Sequence, residues 1–220
     1  MFILLLFQVR KVRVVKPINH GAKILSLRRP NNNADWFWGP LKENGLHDLV
    51  YLGYATVPHA LLTTLCERWH PETNSFHTVL GEMTVTLDDI ACLTHLLIEG
   101  RILSHGKKMS QQDGADLMVR HLGVSQADAE KICDKEYGGY ISYPAMRELY
   151  TRYLDRAIRL ADLEDPGDPQ ELERVRIACV KCYLLYLVGC LLFGDKSNKC
   201  IELVYLTTMD DGYAGMRNYS

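Results

Sequence analysis

The sequence predicts a mainly α protein, a compact helical domain carrying one small β-hairpin. Three observations lead there. Thr86/Asp89, Ser110/Asp113 and Ser125/Asp128 each place a hydroxyl three residues before an acid, the pattern that opens helices. Cys182–Gly194 is an uncharged, largely apolar run that is too short to span a membrane and reads as a buried helix. Extended signals are few and short. The chain has 220 residues, 47% apolar and 24% charged. That is enough to bury a core, and the composition excludes disordered, collagen-like and low-complexity classes.

The elements follow in chain order. Pro30 with Asn31, Asn32 and Asn33 breaks the N-terminal segment from the rest. The expected division is a flexible basic segment over 1–33 and a domain over 34–220. Trp36, Phe37 and Trp38 form either an exposed peptide-binding patch or the anchor of the domain's first helix. The second reading is preferred, because large aromatics dominate core burial. Pro58 suits a first helical turn and opens Pro58–Trp69. Ser75–Val79 and Glu82–Leu87 flank Leu80-Gly81 and predict the hairpin, with Gly81 supplying the turn. Thr86 opens Leu87–Ile98, which stops at Gly100, and Leu87, Ile90, Ala91, Leu97 and Ile98 are expected to face the core. Ser110 opens a helix ending at Gly123, and Ser125 opens another running to Tyr137. Ser142 with Pro144 starts a long helix to Leu163. Asp168, Pro169 and Glu171 start the last helix, Pro169–Phe193, which Gly194 ends. Cys200–Leu206 reads as extended. No internal repeat is visible.

Charge is unevenly distributed. Seven of the 25 Lys and Arg (Arg10, Lys11, Arg13, Lys16, Lys23, Arg28, Arg29) lie within residues 1–30, which hold no Asp or Glu. Beyond them 18 basic groups face all 27 acidic ones, a net −9. The basic segment 10–29 reads either as a solvated tail or as a contact for nucleic acid or a membrane surface. Met1–Phe7 is apolar, but its charge follows the run, and the run is too short for a signal peptide or a span. The seven cysteines fall mostly among apolar residues. That odd count suits reduced, buried thiols in a reducing compartment better than a disulfide framework.

Four groups invite a chemical reading. His77 and Glu82 face each other across the expected turn, as an acid/base or ligand pair or, more simply, as a surface carboxylate capping the turn or pairing with Arg68. Asp88, Cys92, His95 and Glu99 share a helical stripe; Cys92 and His95 can chelate in principle, but no further ligand is identified and the flank of an amphipathic helix suffices. Cys179-x-x-Cys182 shares a face with Tyr186, Gly189, Cys190 and Phe193; without a second pair it reads as a packing seam before a zinc or redox site. Gly167-Asp168-Pro169 and Gly194-Asp195-Lys196 do not extend into the Gly-Asp-x-His and Gly-Asp-x-x-Asp-Arg-Gly motifs with which phosphatases hold two metals.

Two ordered blocks carry a resemblance. The first runs Glu67-Arg68-Trp69-His70-Pro71-Glu72-Thr73, Ser75-Phe76-His77, Gly81-Glu82-Met83-Thr84-Val85-Thr86-Leu87-Asp88-Asp89, then Leu93, Leu96 and Gly100. The second runs Tyr183-Leu184-Leu185-Tyr186-Leu187-Val188-Gly189, Leu192-Phe193 and Asp195-Lys196-Ser197. Together they resemble the plant mobile domain of maintenance-of-meristems-like proteins, which some plant transposable elements also encode. The resemblance covers residue 36 to the end. It departs at Leu97, where the family usually has proline, and at Tyr219-Ser220, where the family continues into a Trp-Gly-containing helix. The domain is therefore expected to be incomplete at its C-terminal end. The resemblance implies a non-catalytic nuclear interaction module with protein partners, linked to silencing of transposable elements, genome stability and meristem maintenance. The alternatives are a metal-dependent or nuclease-like module around His77, Glu82 and Asp88/Asp89, or an inactive transposon-derived remnant. Some family members are fused to a phosphatase, whose motifs are missing here. The family's aminotransferase-like label finds no glycine-rich phosphate loop. No catalytic, cofactor-binding or metal residue is therefore assigned.

Overall fold

The computed structural model describes residues 19–52, 56, 58–96, 100, 109–133, 138–163, 168–194, 199–209 and 216. Along the chain run α1 (His20–Leu25), α2 (Asp35–Glu43), α3 (His59–Glu67), β1 (Trp69–His70), β2 (Ser75–Thr78), β3 (Gly81–Met83), α4 (Leu87–Thr94), α5 (Gln111–Leu122), α6 (Gln126–Ile132), β4 (Tyr140–Ser142), α7 (Tyr143–Ala161), α8 (Pro169–Leu191) and β5 (Cys200–Glu202). Short 3-10 turns cover Asp48–Tyr51 and Leu203–Met209. The mainly α architecture with small β elements is as the sequence predicts.

The fold is organised around α8. Every residue from Ala178 to Cys190 is buried, so this helix needs neighbours on all sides. α1, α2, α5 and α7 surround it, with β5 and both 3-10 turns. Among the described residues no helix is long and apolar enough to cross a membrane. The side chains of α7 and α8 interlock through tyrosines, and the three on α7 find acceptors for their hydroxyls. Tyr143 donates to the Gly189 carbonyl at 2.8 Å, Tyr150 to the Arg28 carbonyl at 2.7 Å, and Tyr153 to the Leu122 carbonyl. Satisfied in this way, each ring adds its apolar area without an orphaned polar atom. Burial pushes the Tyr153 phenol up to about 12.

The expected caps form. Ser110, Ser125 and Ser142 accept the amides of Asp113, Asp128 and Ala145, and Asp168 accepts that of Gln170. Gly123 ends α5 in the left-handed conformation at φ 65°. α7 ends at Ala161 and α8 at Leu191, each two residues short of expectation. α6 ends at Ile132, short of Tyr137; residues 134–137 lie outside the described residues.

Three expectations are corrected. The boundary at residue 33 does not detach residues 20–29. Ile24 and Leu27 are buried in the core, Arg28 pairs with Asp155 of α7, and the Trp38 indole donates to the Asn31 carbonyl at 2.9 Å. The basic composition of this segment hides its two core anchors, and Arg28 does have an acidic partner. Arg10, Lys11, Arg13 and Lys16 lie outside the described residues. Next, only Cys200–Glu202 is extended, pairing antiparallel with β4 in the register Ile141↔Ile201. Beyond it Thr207 and Thr208 hydroxyls bond back to the Val204 and Tyr205 carbonyls, which favours the tight turn over a strand. Third, Leu87–Ile98 is one turn shorter than expected. The Thr94 hydroxyl bonds the Ile90 carbonyl at 2.7 Å, His95 takes a left-handed φ of 58°, and the helix stops.

The Trp36-Phe37-Trp38 anchor is found. Phe37 and Trp38 are buried in α2, and the Phe37 ring meets the Trp38 and Tyr183 rings edge-on, each at 5.0 Å. Trp36 is half-buried beneath Arg176, whose guanidinium lies 5.4 Å from a ring centroid of that indole.

Candidate interaction surface

Residues 58–96 contrast with this core. α3 and α4 bury no residue at all. Between them β1, β2 and β3 form an antiparallel sheet in that order, with Trp69↔Phe76, Phe76↔Met83 and His77↔Glu82 opposite one another. The helix expected over Pro58–Trp69 stops at Glu67, because Trp69 and His70 pair with β2 instead; aromatic side chains favour that pleated setting and Pro71 cannot continue a helix. Trp69 lies edge-on to buried Phe76 at 4.9 Å and packs one face of the sheet. Thr73 and Ser75 hydroxyls join at 2.7 Å, and Thr84 donates to the Asn74 carbonyl at 2.9 Å, closing the turn over Pro71 and Glu72.

Among the described residues the hairpin tip is the most exposed apolar feature. Val79 is 95% exposed and Leu80 89%. Turns normally use Gly, Asn, Asp, Ser or Pro. Here two branched aliphatics stand in water, held by the Thr78 hydroxyl, which donates to the Gly81 carbonyl at 2.8 Å and accepts the Leu80 amide at 3.2 Å. Gly81 has φ of 117°, a conformation L residues avoid, so the glycine expected at this turn is required by the backbone. Leu61, Met83, Leu87 and Leu93 are exposed nearby in sequence. The expectation that Leu87, Ile90 and Ala91 face the core is therefore wrong: Leu87 is 67% exposed and the other two are only half-buried. An amphipathic period marks an apolar stripe but not what covers it. Leu97, Ile98 and Glu99 lie outside the described residues. Exposed Glu67, Glu72, Glu82 and Asp88 give this surface an acidic character.

The chemical candidates are placed as follows. His77 and Glu82 are cross-strand neighbours on exposed strands, and the His70 and His77 rings lie 5.4 Å apart. No ion pair joins Glu82 to Arg68 among the described residues. Nor do the described residues contain any group of three His, Cys, Asp or Glu placed to hold a metal. Asp88 and Cys92 are exposed on α4, but His95 falls beyond its last turn. Asp89 closes a capping box with Thr86, and the Thr86 amide and hydroxyl hold its carboxyl below the usual range. That cap is therefore intact at neutral pH and is lost as pH falls through the depressed value.

The second block is structural. Tyr183, Leu184, Tyr186 and Gly189 lie in the buried length of α8, and Phe193 stacks on Tyr205 at 4.6 Å. Asp195, Lys196 and Ser197 lie outside the described residues, and Gly100 stands alone at φ 149°. Cys179 and Cys182 are fully buried, and burial raises both thiols far from the reactive thiolate; the Cys190 thiol is pushed up to about 12. In the native protein an alkylating reagent at pH 8 is expected to label exposed Cys92 first and to spare Cys179, Cys182 and Cys190 until unfolding. Cys179→Ala and Cys182→Ala are expected to lower thermal stability and to release no zinc. Rapid native labelling of the pair, or zinc release, would make it a functional site.

The described residues thus define a mainly α domain built on one buried helix and presenting a small, solvent-exposed sheet. The plant mobile domain profile matches residues 45–217, and the chain belongs to that family. It is 30% identical over 195 residues to a serine/threonine-protein phosphatase 7 long form homolog of Arabidopsis thaliana, covering 86% of this chain and 12% of that protein. Protein MAIN-LIKE 2 of the same plant is 30% identical over 71% of this chain and 20% of its own length. Protein MAINTENANCE OF MERISTEMS, also of that plant, is 27% identical over 73% of this chain and 29% of its own length. The chain therefore spans less than a third of each of these curated relatives. No solved structure matches.

Proposed function

We propose that this chain is a non-catalytic interaction domain that binds a protein partner through the 69–83 sheet and its Val79-Leu80 tip. The observation that carries the reading is the tip itself, two aliphatic side chains almost wholly in water on a braced turn. Exposed apolar groups of this kind rimmed by polar residues mark interaction surfaces, and the cost of leaving them bare is recovered when a partner covers them. The first signature block of the family coincides with this surface, whereas Tyr183–Gly189 of the second lies in the core. The reading extends to a nuclear setting linked to transposable-element silencing, genome stability and meristem maintenance; the name of one relative, MAINTENANCE OF MERISTEMS, bears on the last of these alone. Any nucleic-acid contact would come from the basic residues of 10–29 and would be steeply salt-dependent.

The test is affinity capture from plant nuclei, comparing the wild-type chain with a Val79→Asp/Leu80→Asp double variant. The tip buries nothing, so the variant is expected to melt as the wild type does. Captured partners are expected to fall at least about tenfold, the loss of one well-buried aliphatic anchor. Undiminished capture by the folded variant would remove the hairpin from the binding surface. Stoichiometric metal in the purified protein would instead favour an enzymatic module around His77 and Glu82.

A further inference from the structure

β3 lies at one edge of the 69–83 sheet, and among the described residues no strand pairs with its outer side. The register fixes what that edge offers. In an antiparallel sheet a residue sends its amide and its carbonyl toward the same neighbouring strand. The His77 amide bonds the Arg68 carbonyl on the β1 side at 2.7 Å, so His77 and Glu82 face each other without ladder bonds between them. Glu82 therefore turns its own amide and carbonyl outward, where neither meets a partner among the described residues. The side chains add a pattern. Phe76 and Met83 share one face of the sheet, and His77 and Glu82 share the other. Residues 58–96 hold five acids, Glu67, Glu72, Glu82, Asp88 and Asp89, against a single Lys or Arg, Arg68. Asp89 is held in its capping box, and the other four have no ion-pair partner among the described residues.

From this edge we infer that the domain takes, as a further strand beside β3, an extended peptide of its partner that alternates aliphatic and basic residues. The peptide backbone bonds the outward amide and carbonyl of Glu82. Its basic residue lies beside the Glu82 carboxylate on one face, and its aliphatic residues lie beside Met83 and toward the Val79-Leu80 tip on the other. Main-chain bonds of this kind give affinity, and the alternate side chains choose the sequence. A second copy of this chain fits poorly. Two β3 edges meeting antiparallel about Glu82 set one Glu82 opposite the other, and like charges so placed discourage edge-to-edge pairing. A basic strand answers the same charge. The inference rests on the docking surface proposed above and names the chemistry of what docks there.

The experiment titrates the full chain, labelled with nitrogen-15, with a short peptide alternating valine with lysine, and follows the backbone amides. A saturable shift centred on Glu82 is expected, with slowed exchange of its amide. The same peptide carrying methyl groups on alternate backbone nitrogens is expected not to bind, which separates strand pairing from charge attraction alone. Glu82→Lys is expected to weaken the valine–lysine peptide about tenfold, as attraction becomes repulsion, and to accept a valine–glutamate peptide that the wild type rejects. Glu173→Lys, at an exposed position on α8, is expected to bind as wild type. Equal binding of the two peptides by the wild type, a shift that does not saturate, or unchanged affinity in folded Glu82→Lys would overturn the proposal. So would a Glu82 amide already slow to exchange in the free, dilute chain, which would put another part of this chain on the edge. Slowing that grows with protein concentration would put a second copy there, with the same consequence. If the peptide fails while Val79→Asp/Leu80→Asp still loses its captured partners, strand addition falls and the docking surface stands; if both fail, the surface falls too.

Discussion

Phe37→Ala is expected to destabilise the domain by about 3–5 kcal/mol, the range for emptying a buried aromatic site. The side chain is 0% exposed and lies where α2 meets α8, edge-on to both Trp38 and Tyr183. Neither neighbouring ring can refill the space without giving up its own contact. Small domains are stable by only about 5–15 kcal/mol, so this one substitution removes a large share of the total. Urea unfolding followed by tryptophan fluorescence measures it. A loss below about 1 kcal/mol would mean that α2 does not pack on α8 as described.

Gly189→Val is expected to be the second severe substitution. A Cβ at Gly189 would lie 2.6 Å from Ile201 Cγ2, closer than real carbon contacts come, and a tight 3.3 Å from its Cβ. Ile201 is β-branched and pinned in the β4–β5 ladder, so it cannot swing away. Leaving glycine gains a few tenths of a kcal/mol in helix propensity, whereas overpacking costs about 1–3 kcal/mol, and the clash wins. The shift would also strain the bond from the Tyr143 hydroxyl to the Gly189 carbonyl. Thermal unfolding reports the loss, and faster amide exchange in β5 locates it. A melting temperature at or above wild type would contradict the close approach of β5 to α8.

The elements legible in the sequence are those with local chemistry. Ser110, Ser125, Ser142 and Asp168 announce their helices because a capping side chain acts within three residues. The run around Tyr183–Val188 announces a buried helix because nothing else tolerates such a stretch, and Gly81 announces its turn because the backbone there demands it. What was missed depends on distant partners. Residues 20–29 look like a basic tail until Ile24 and Leu27 are seen against α8. β1 has only two residues, and its pairing exists only because β2 lies beside it. The stripe on α4 has the right period for a core face, yet burial is decided by what packs there. The family blocks were recognisable, but their division into a core block and a surface block required the fold.

The central claim is that the 69–83 sheet is where a protein partner docks. Amide hydrogen exchange of the chain, alone and bound to the partner it captures, tests it most directly. In the free chain α8 is expected to exchange slowest and the exposed sheet rapidly, since few buried contacts hold it. In the complex, protection is expected to appear across residues 76–83 and to leave α8 unchanged. Protection confined to α1 and α7, with the hairpin exchanging as fast as in the free chain, would contradict it.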